Sequence, residues 1–179
     1  DYQTSESFNV TINPVNDAPS MVSISNVNTE EELSTSVALN ATDIDGDTDF
    51  TFSANTSSDL FDVSTLGPTL TVSPLYNQVG TGTINVSVSD GGLSSEVITF
   101  DVTIENVNDA PVLSSISNPD SALEDGDDIV ITLSASDVDG DNVSFTADAS
   151  NSDLFESINI DGNTLTLNPA DNANGSSVV

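Results

Sequence analysis

Val15-Asn16-Asp17-Ala18-Pro19 returns later in the chain as Val107-Asn108-Asp109-Ala110-Pro111. Three more matches follow in the same order. Asp43-Ile44-Asp45-Gly46-Asp47 returns as Asp137-Val138-Asp139-Gly140-Asp141, and Ser58-Asp59-Leu60-Phe61 as Ser152-Asp153-Leu154-Phe155. Thr69-Leu70-Thr71-Val72-Ser73-Pro74 returns as Thr164-Leu165-Thr166-Leu167-Asn168-Pro169. The copies stand about 92 to 95 residues apart, so the chain is a tandem repeat of modules near that length. The repeat is cut out of phase. Phe8-Asn9-Val10-Thr11-Ile12 matches Phe100-Asp101-Val102-Thr103-Ile104, the last strand of a module. Residues 1–17 are therefore expected to be the last strand of a preceding or strand-donated repeat and its junction. Residues 18–106 form module one, and 107–179 module two, incomplete at its C-terminal side. Either the natural chain continues, the preferred expectation, or the first strand of a neighbouring molecule completes the second module.

The patterning is β throughout. Phe50, Phe52 and Ala54 alternate with polar neighbours, as do Ile84, Val86 and Val88, then Phe100, Val102 and Ile104, and Ile129, Ile131, Leu133 and Ala135. Strict alternation marks strands with one buried and one wet face. No useful helical period is present. About seven strands per module suit an all-β fold of tandem immunoglobulin-like Greek-key β-sandwiches. The expected core of module one is Phe50, Phe52, Leu60, Phe61, Leu70, Val86, Val88, Phe100 and Val102.

Charge narrows the function classes. The 179 residues include 30 acidic side chains and no Lys, Arg or His, for a net charge of −30. No side-chain cation exists to form a salt bridge, and every arrangement sets carboxylates among carboxylates. Such self-repulsion opposes compactness. Positive charge must come from outside, and divalent cations are the natural source. Nucleic acid is not an expected partner, because nothing basic meets phosphate. An anionic membrane surface is excluded likewise, and no apolar run reaches the roughly 20 residues that span a bilayer. Without His, Cys, Lys or Arg, and with every carboxylate candidate repeated as structural features are, the chain is not expected to be an enzyme.

The carboxylates cluster in three places per module. Glu30-Glu31-Glu32 is answered by Glu124-Asp125-Gly126-Asp127-Asp128. The Asp-x-Asp-Gly-Asp stretches at 43–47 and 137–141 form the second set, and the Asn-Asp pairs before Ala-Pro the third. Calcium takes six to eight oxygen ligands at about 2.3–2.6 Å from such groups. Asp-x-Asp at a strand end is expected to place both carboxylates on one side, since side chains alternate. The glycine that follows permits a tight turn. Magnesium would keep its waters, and zinc lacks its His and Cys ligands. The stretch from Asp137 is no EF-hand, because its Gly140 stands at the fourth loop position where that motif needs the sixth. A plain surface turn is the simpler reading of one Asp-Gly-Asp, but repetition beside two other clusters weighs against it.

Together, Ala41-Thr42-Asp43-Ile44-Asp45-Gly46-Asp47, Ser89-Asp90-Gly91-Gly92-Leu93-Ser94 and the Val-Asn-Asp-Ala-Pro junctions resemble cadherin repeats. They look closer still to the bacterial cadherin-like repeats of large surface adhesins. The resemblance covers essentially the whole chain. It implies Ca²⁺ held between successive modules. By that resemblance, one junction draws Glu30 and Glu31 from module one, Asn106, Asn108 and Asp109 from the linker, and Asp137 and Asp139 from module two. The earlier junction uses Asn16, Asp17, Asp43, Asp45 and Asp90. Glu124 serves a later junction, and Asp1 is a counterpart of Asp90. The chain departs from the family at Asn106 and Pro14, where an Asp is usual, and at Tyr76-Asn77-Gln78, which replaces an Asp-x-Glu. Fewer carboxylates imply fewer and weaker ions, with Asp47 and Asp141 as loose compensation.

The expected function is a Ca²⁺-rigidified structural segment of a long extracellular adhesin stalk or filament at the cell surface. Its partners would be neighbouring repeats of the same chain, or like chains end to end. The alternative is a carbohydrate- or cell-binding module of a secreted protein. Sugar binding usually uses aromatic platforms, and here Trp is absent and only Tyr2 and Tyr76 are tyrosines.

Overall fold

The structure is a computed structural model, and it describes residues 2–179. The chain divides into two compact units, Asp1–Val107 and Asn108–Val179.

In the first unit the strands are β1 (Ser20–Met21), β2 (Val27–Glu30), β3 (Thr35–Ala38), β4 (Ala41–Thr42), β5 (Thr51–Thr56), β6 (Phe61–Leu66), β7 (Thr69–Pro74), β8 (Gly80–Ser89) and β9 (Ile98–Glu105). One sheet has the order β2-β9-β8-β5 and a second the order β3-β7-β6, while β1 pairs with β4 in a short ribbon. β2 runs parallel to β9, with Val27 opposite Val102 and Glu30 opposite Glu105. The other pairings are antiparallel. Residues 2–19 contain no strand.

The alternation read from the sequence is the burial pattern of the strands. On β8, Ile84, Val86 and Val88 are buried, and on β9 so are Phe100, Val102 and Ile104. They meet Phe61, Leu70 and Val72 of the facing sheet in a single core with Leu39 and Phe52. Each such side chain contributes about 1.5–3 kcal/mol by leaving water. Phe50 and Leu60 pack against this core but are only partly buried, so they are rim rather than centre. Leu39, Val72, Ile84 and Ile104 join the expected core residues.

The second unit contains β10 (Val112–Leu113), β11 (Ile129–Thr132), β12 (Ala135–Ser136), a 3₁₀ turn at Ser152–Leu154, β13 (Phe155–Asp161) and β14 (Thr164–Pro169). β10 pairs with β12 as β1 does with β4, and β11-β14-β13 repeats β3-β7-β6. The sheet that corresponds to β2-β9-β8-β5 is not formed among residues 108–179. Leu133, Leu165 and Leu167 form a smaller core there, with Ile131, Phe145 and Phe155 against it. No helix among the described residues is long and apolar enough to cross a membrane.

Candidate metal centre

Five of the expected ligands converge within the first unit: Asn16, Asp17, Asp43, Asp45 and Asp90. Asp43 follows directly on β4, and Asp90 directly on β8. The backbone N–H of Asp45 donates to Asp43 Oδ1 at 2.7 Å, and the N–H of Asp17 donates to Asp45 Oδ2 at 2.7 Å. Asn16 Nδ2 donates to Asp90 Oδ2 at 3.0 Å. The remaining oxygen of Asp43, Oδ2, is buried and has no hydrogen-bond partner.

Local turn chemistry sets these positions. β4 ends at Thr42, so Asp43 and Asp45 are not brought to one side by strand alternation, as the sequence reading had it. An Asx turn does this instead: a side chain accepts from the backbone two residues on. The exposed Ile44 lies between them, and Gly46 turns the chain at φ 86°. A positive φ of that size suits glycine.

Asp90 uses the same device more fully. Its Oδ1 accepts from the N–H groups of Gly92 at 2.6 Å and Leu93 at 2.7 Å. The hydrogen bonds from the Leu93 backbone, the Asn16 side chain and the Gly92 backbone hold its carboxyl below the ordinary carboxylate value. They favour the charged form because each donor is better satisfied by an anion. These backbone donors were not among the expected site groups. The Asp-Gly-Gly turn is the signal that could have found them.

The remaining candidates divide between the two units. In the first, Glu30 is exposed at the end of β2, while Glu31 is buried. Glu31 Oε1 accepts from the Val107 backbone N–H at 2.9 Å. Asn106 is exposed just after β9. In the second unit, Asp109 N–H donates to Asp139 Oδ2 at 2.6 Å. Asp137 Oδ1 accepts from the N–H groups of Asp139 at 3.0 Å and Asp141 at 3.2 Å. This repeats the pattern of Asp17, Asp43 and Asp45, with Gly140 at φ 82° in place of Gly46. Asn108 Nδ2 donates to the Asp109 carbonyl at 2.9 Å. Glu124 is exposed, beside Asp125 in a left-handed conformation. Asp1 lies outside the described residues.

Residues 16–103 match the family model of the bacterial Ig domain. The match lies within the first unit and covers just under half of the chain. The second unit carries the same motifs in the same order. No curated protein matches the chain. Among solved structures, it is similar to the extracellular cadherin domains 1–4 of protocadherin gamma B7, at 19% identity. That match covers 86% of this chain and 41% of the other, with a TM-score of 0.43. Similarity to the human desmocollin-1 ectodomain is 16% in identity over 90% of this chain and 32% of that one, with a TM-score of 0.41. Domains 4–9 of the surface layer protein SbsC match at 17% identity over 90% of this chain and 28% of that one, with a TM-score of 0.37. The chain thus spans less than half the length of each. Scores this low say nothing about ligands or partners.

Proposed function

We propose that this chain is a non-catalytic structural segment of an extracellular stalk or filament, and that Ca²⁺ bound beside its Ig domains stiffens it. The observation that carries the reading is Asp43 Oδ2, a buried carboxylate oxygen that no donor meets. An unpartnered buried acceptor is costly, more so when ionised. Asp17, Asp45 and Asp90 stand in the same hydrogen-bonded cluster, and the sequence contains no Lys, Arg or His to balance them. A divalent cation supplies both the missing partner and the missing charge.

The donor set fits calcium. It consists of hard oxygens, from the carboxylates of Asp17, Asp43, Asp45 and Asp90 and the amide oxygen of Asn16, and the sequence has no Cys or His to favour a softer metal. Asp109, Asp137, Asp139 and Asn108 repeat the arrangement in the second unit. Glu30, Glu31, Asn106 and Glu124 are proposed as ligands of the same kind.

The mechanical role follows from where the ligands sit in the chain. Asn16 and Asp17 belong to the segment that leads into the Ig domain, and Asp43, Asp45 and Asp90 to its body. An ion shared between them fixes the lead-in segment to the body. Linkers between domains otherwise move freely by default. An array built this way is stiff in calcium and flexible without it.

Titration calorimetry and small-angle X-ray scattering test this together. Expected are saturable heats with Kd of about 10⁻⁴ to 10⁻³ M, typical of extracellular modules, and a maximum dimension that shrinks or broadens when chelator is added. Absence of heat, with scattering unchanged between millimolar calcium and chelator, would sink the reading.

A further inference from the structure

Both carboxylate oxygens of Asp90 are met by donors from the protein itself. Oδ1 accepts from the backbone N–H groups of Gly92 at 2.6 Å and Leu93 at 2.7 Å, and Oδ2 accepts from Asn16 Nδ2 at 3.0 Å. A carboxylate offers about four lone-pair sites, so three of them are filled. Asp43 is the opposite case, with Oδ1 bonded and Oδ2 buried and bare. Asp43 calls for a cation, whereas Asp90 is largely satisfied without one.

The side-chain partner of Asp90 comes from 74 residues away in the sequence. Asn16 stands in the lead-in segment, and its Nδ2 also donates to the Asp17 carbonyl at 3.2 Å. Turning this amide over would set its oxygen against a carboxylate and a carbonyl, both acceptors, so the donor orientation is the stable one. One residue on, the Asp17 N–H donates to Asp45 Oδ2 at 2.7 Å. The lead-in is thus tied at two successive residues to two different loops of the same unit, and both acceptors are carboxylates.

The turn that carries Asp90 receives Asn16 closely. Ser89 Oγ donates to the Leu93 carbonyl at 2.7 Å and accepts from the Gly91 N–H at 3.1 Å, which closes the turn. Gly91 has the positive φ of this turn, at 95°, and Gly92 does not have one. The glycine at 92 serves close approach instead: a Cβ there would stand 3.2 Å from Asn16 Nδ2.

We propose that Asn16 and Asp90 form a metal-independent latch that seats the lead-in segment against the first unit before calcium arrives. Asn16 is a positioning residue that acts through its Nδ2 and sets Asp17 beside Asp45. An assembled site takes its ion without the cost of ordering a loose segment. That consequence for calcium rests on the function proposed above, while the latch itself does not.

Amide exchange of the full chain in chelator tests the latch with no calcium present. Asp17 should exchange more slowly than its intrinsic rate. Asn16→Asp sets carboxylate against carboxylate, and Asp90→Asn sets donor against donor. Each should reduce that protection by about tenfold or more, as loss of a charge-assisted hydrogen bond does. The double exchange Asn16→Asp with Asp90→Asn reverses donor and acceptor at unchanged net charge, and should recover most of the protection. Gly92→Ala leaves both partners in place and should also loosen Asp17. Circular dichroism checks that each variant is folded. An unprotected Asp17 in the parent would overturn the latch. So would protection that survives both single changes, or a double variant no better than the singles. In calorimetry Gly92→Ala, which removes no proposed ligand, should bind calcium about threefold or more weakly, as lost preorganisation does. Equal affinity with Asp17 loosened would refute the claim that the latch prepares the site. Absence of heat in the parent would sink the calcium reading alone, and the exchange result would still decide the latch.

Discussion

Asp43 makes opposite demands in the presence and absence of metal. Its Oδ1 is satisfied by the Asp45 N–H, while Oδ2 is buried without a donor. Asp43→Asn keeps the first contact and removes the charge. We expect it to weaken calcium binding by tenfold or more in calorimetry, yet to raise stability in chelator by about 1 kcal/mol, since an unpartnered buried charge costs at least that. A variant less stable in chelator would show that Oδ2 has no need of a cation. Asp90 gives a pH signature. Its folded pKa lies below the ordinary value, chiefly through the Leu93 N–H. The folded state therefore releases this proton more readily than the unfolded chain. Its contribution is complete above the ordinary carboxylate pKa and disappears as pH falls through the lowered one. In chelator, acid titration of Asp90→Asn against the parent should show the gap between them closing over that acidic window and constant at neutral pH. The acidic pairs themselves were legible from spacing alone. The donors at Gly92 and Leu93 were signalled only by the Asp-Gly-Gly turn, and the one at Val107 by nothing, because a backbone N–H leaves no trace in residue identity.

Strands were the most legible elements, for the reason that a side-chain period of two survives in the sequence. Val86, Val88, Phe100 and Val102 were readable as core, and they are. Leu39 was not readable, because it lies between β3 and β4 where no alternation runs. Val72, Ile84 and Ile104 continue alternations that start at Leu70, Val86 and Val102, so the pattern contained them. The turn at Asp43 was misread as a strand end because propensity does not say where pairing stops. Parallel pairing of β2 with β9 could not be read at all, as it joins segments far apart in sequence. β8 offers a test of packing. A Cβ on Gly82 would stand 2.7 Å from Phe61 Cε1 and would collide with the Ser58 side chain. Phe61 is fully buried and cannot step aside. Gly82→Ala should therefore cost about 1–3 kcal/mol in urea denaturation, as overpacking does. A neutral result would mean that the Ser58 turn yields.

For the whole molecule, charge is the dominant fact. With 30 acidic and no basic side chains, the chain offers trypsin no site. A glutamate-specific protease is the useful probe, since Glu30, Glu31 and Glu32 lie beside one another at the end of β2. Cleavage there should slow in millimolar calcium, because an ion that binds only the folded form adds about 2.7 kcal/mol per site at a hundredfold excess over Kd. Equal digestion rates with and without calcium would count against the metal centre. The repeat was legible from the first matched pentapeptide.

The parallel ladder of β2 and β9 has a consequence for tension. Once the short β1–β4 ribbon gives way, traction on the lead-in segment pulls β2 from its first residue, and traction on the trailing segment pulls β9 from its last. Because the two strands point the same way and pair from Val27 to Glu30, the force slides one along the other and strains those bonds together instead of peeling them apart singly. A β-sandwich wired in this manner resists stretching as a lap joint resists, by shear, and it would yield late in a pulling trace.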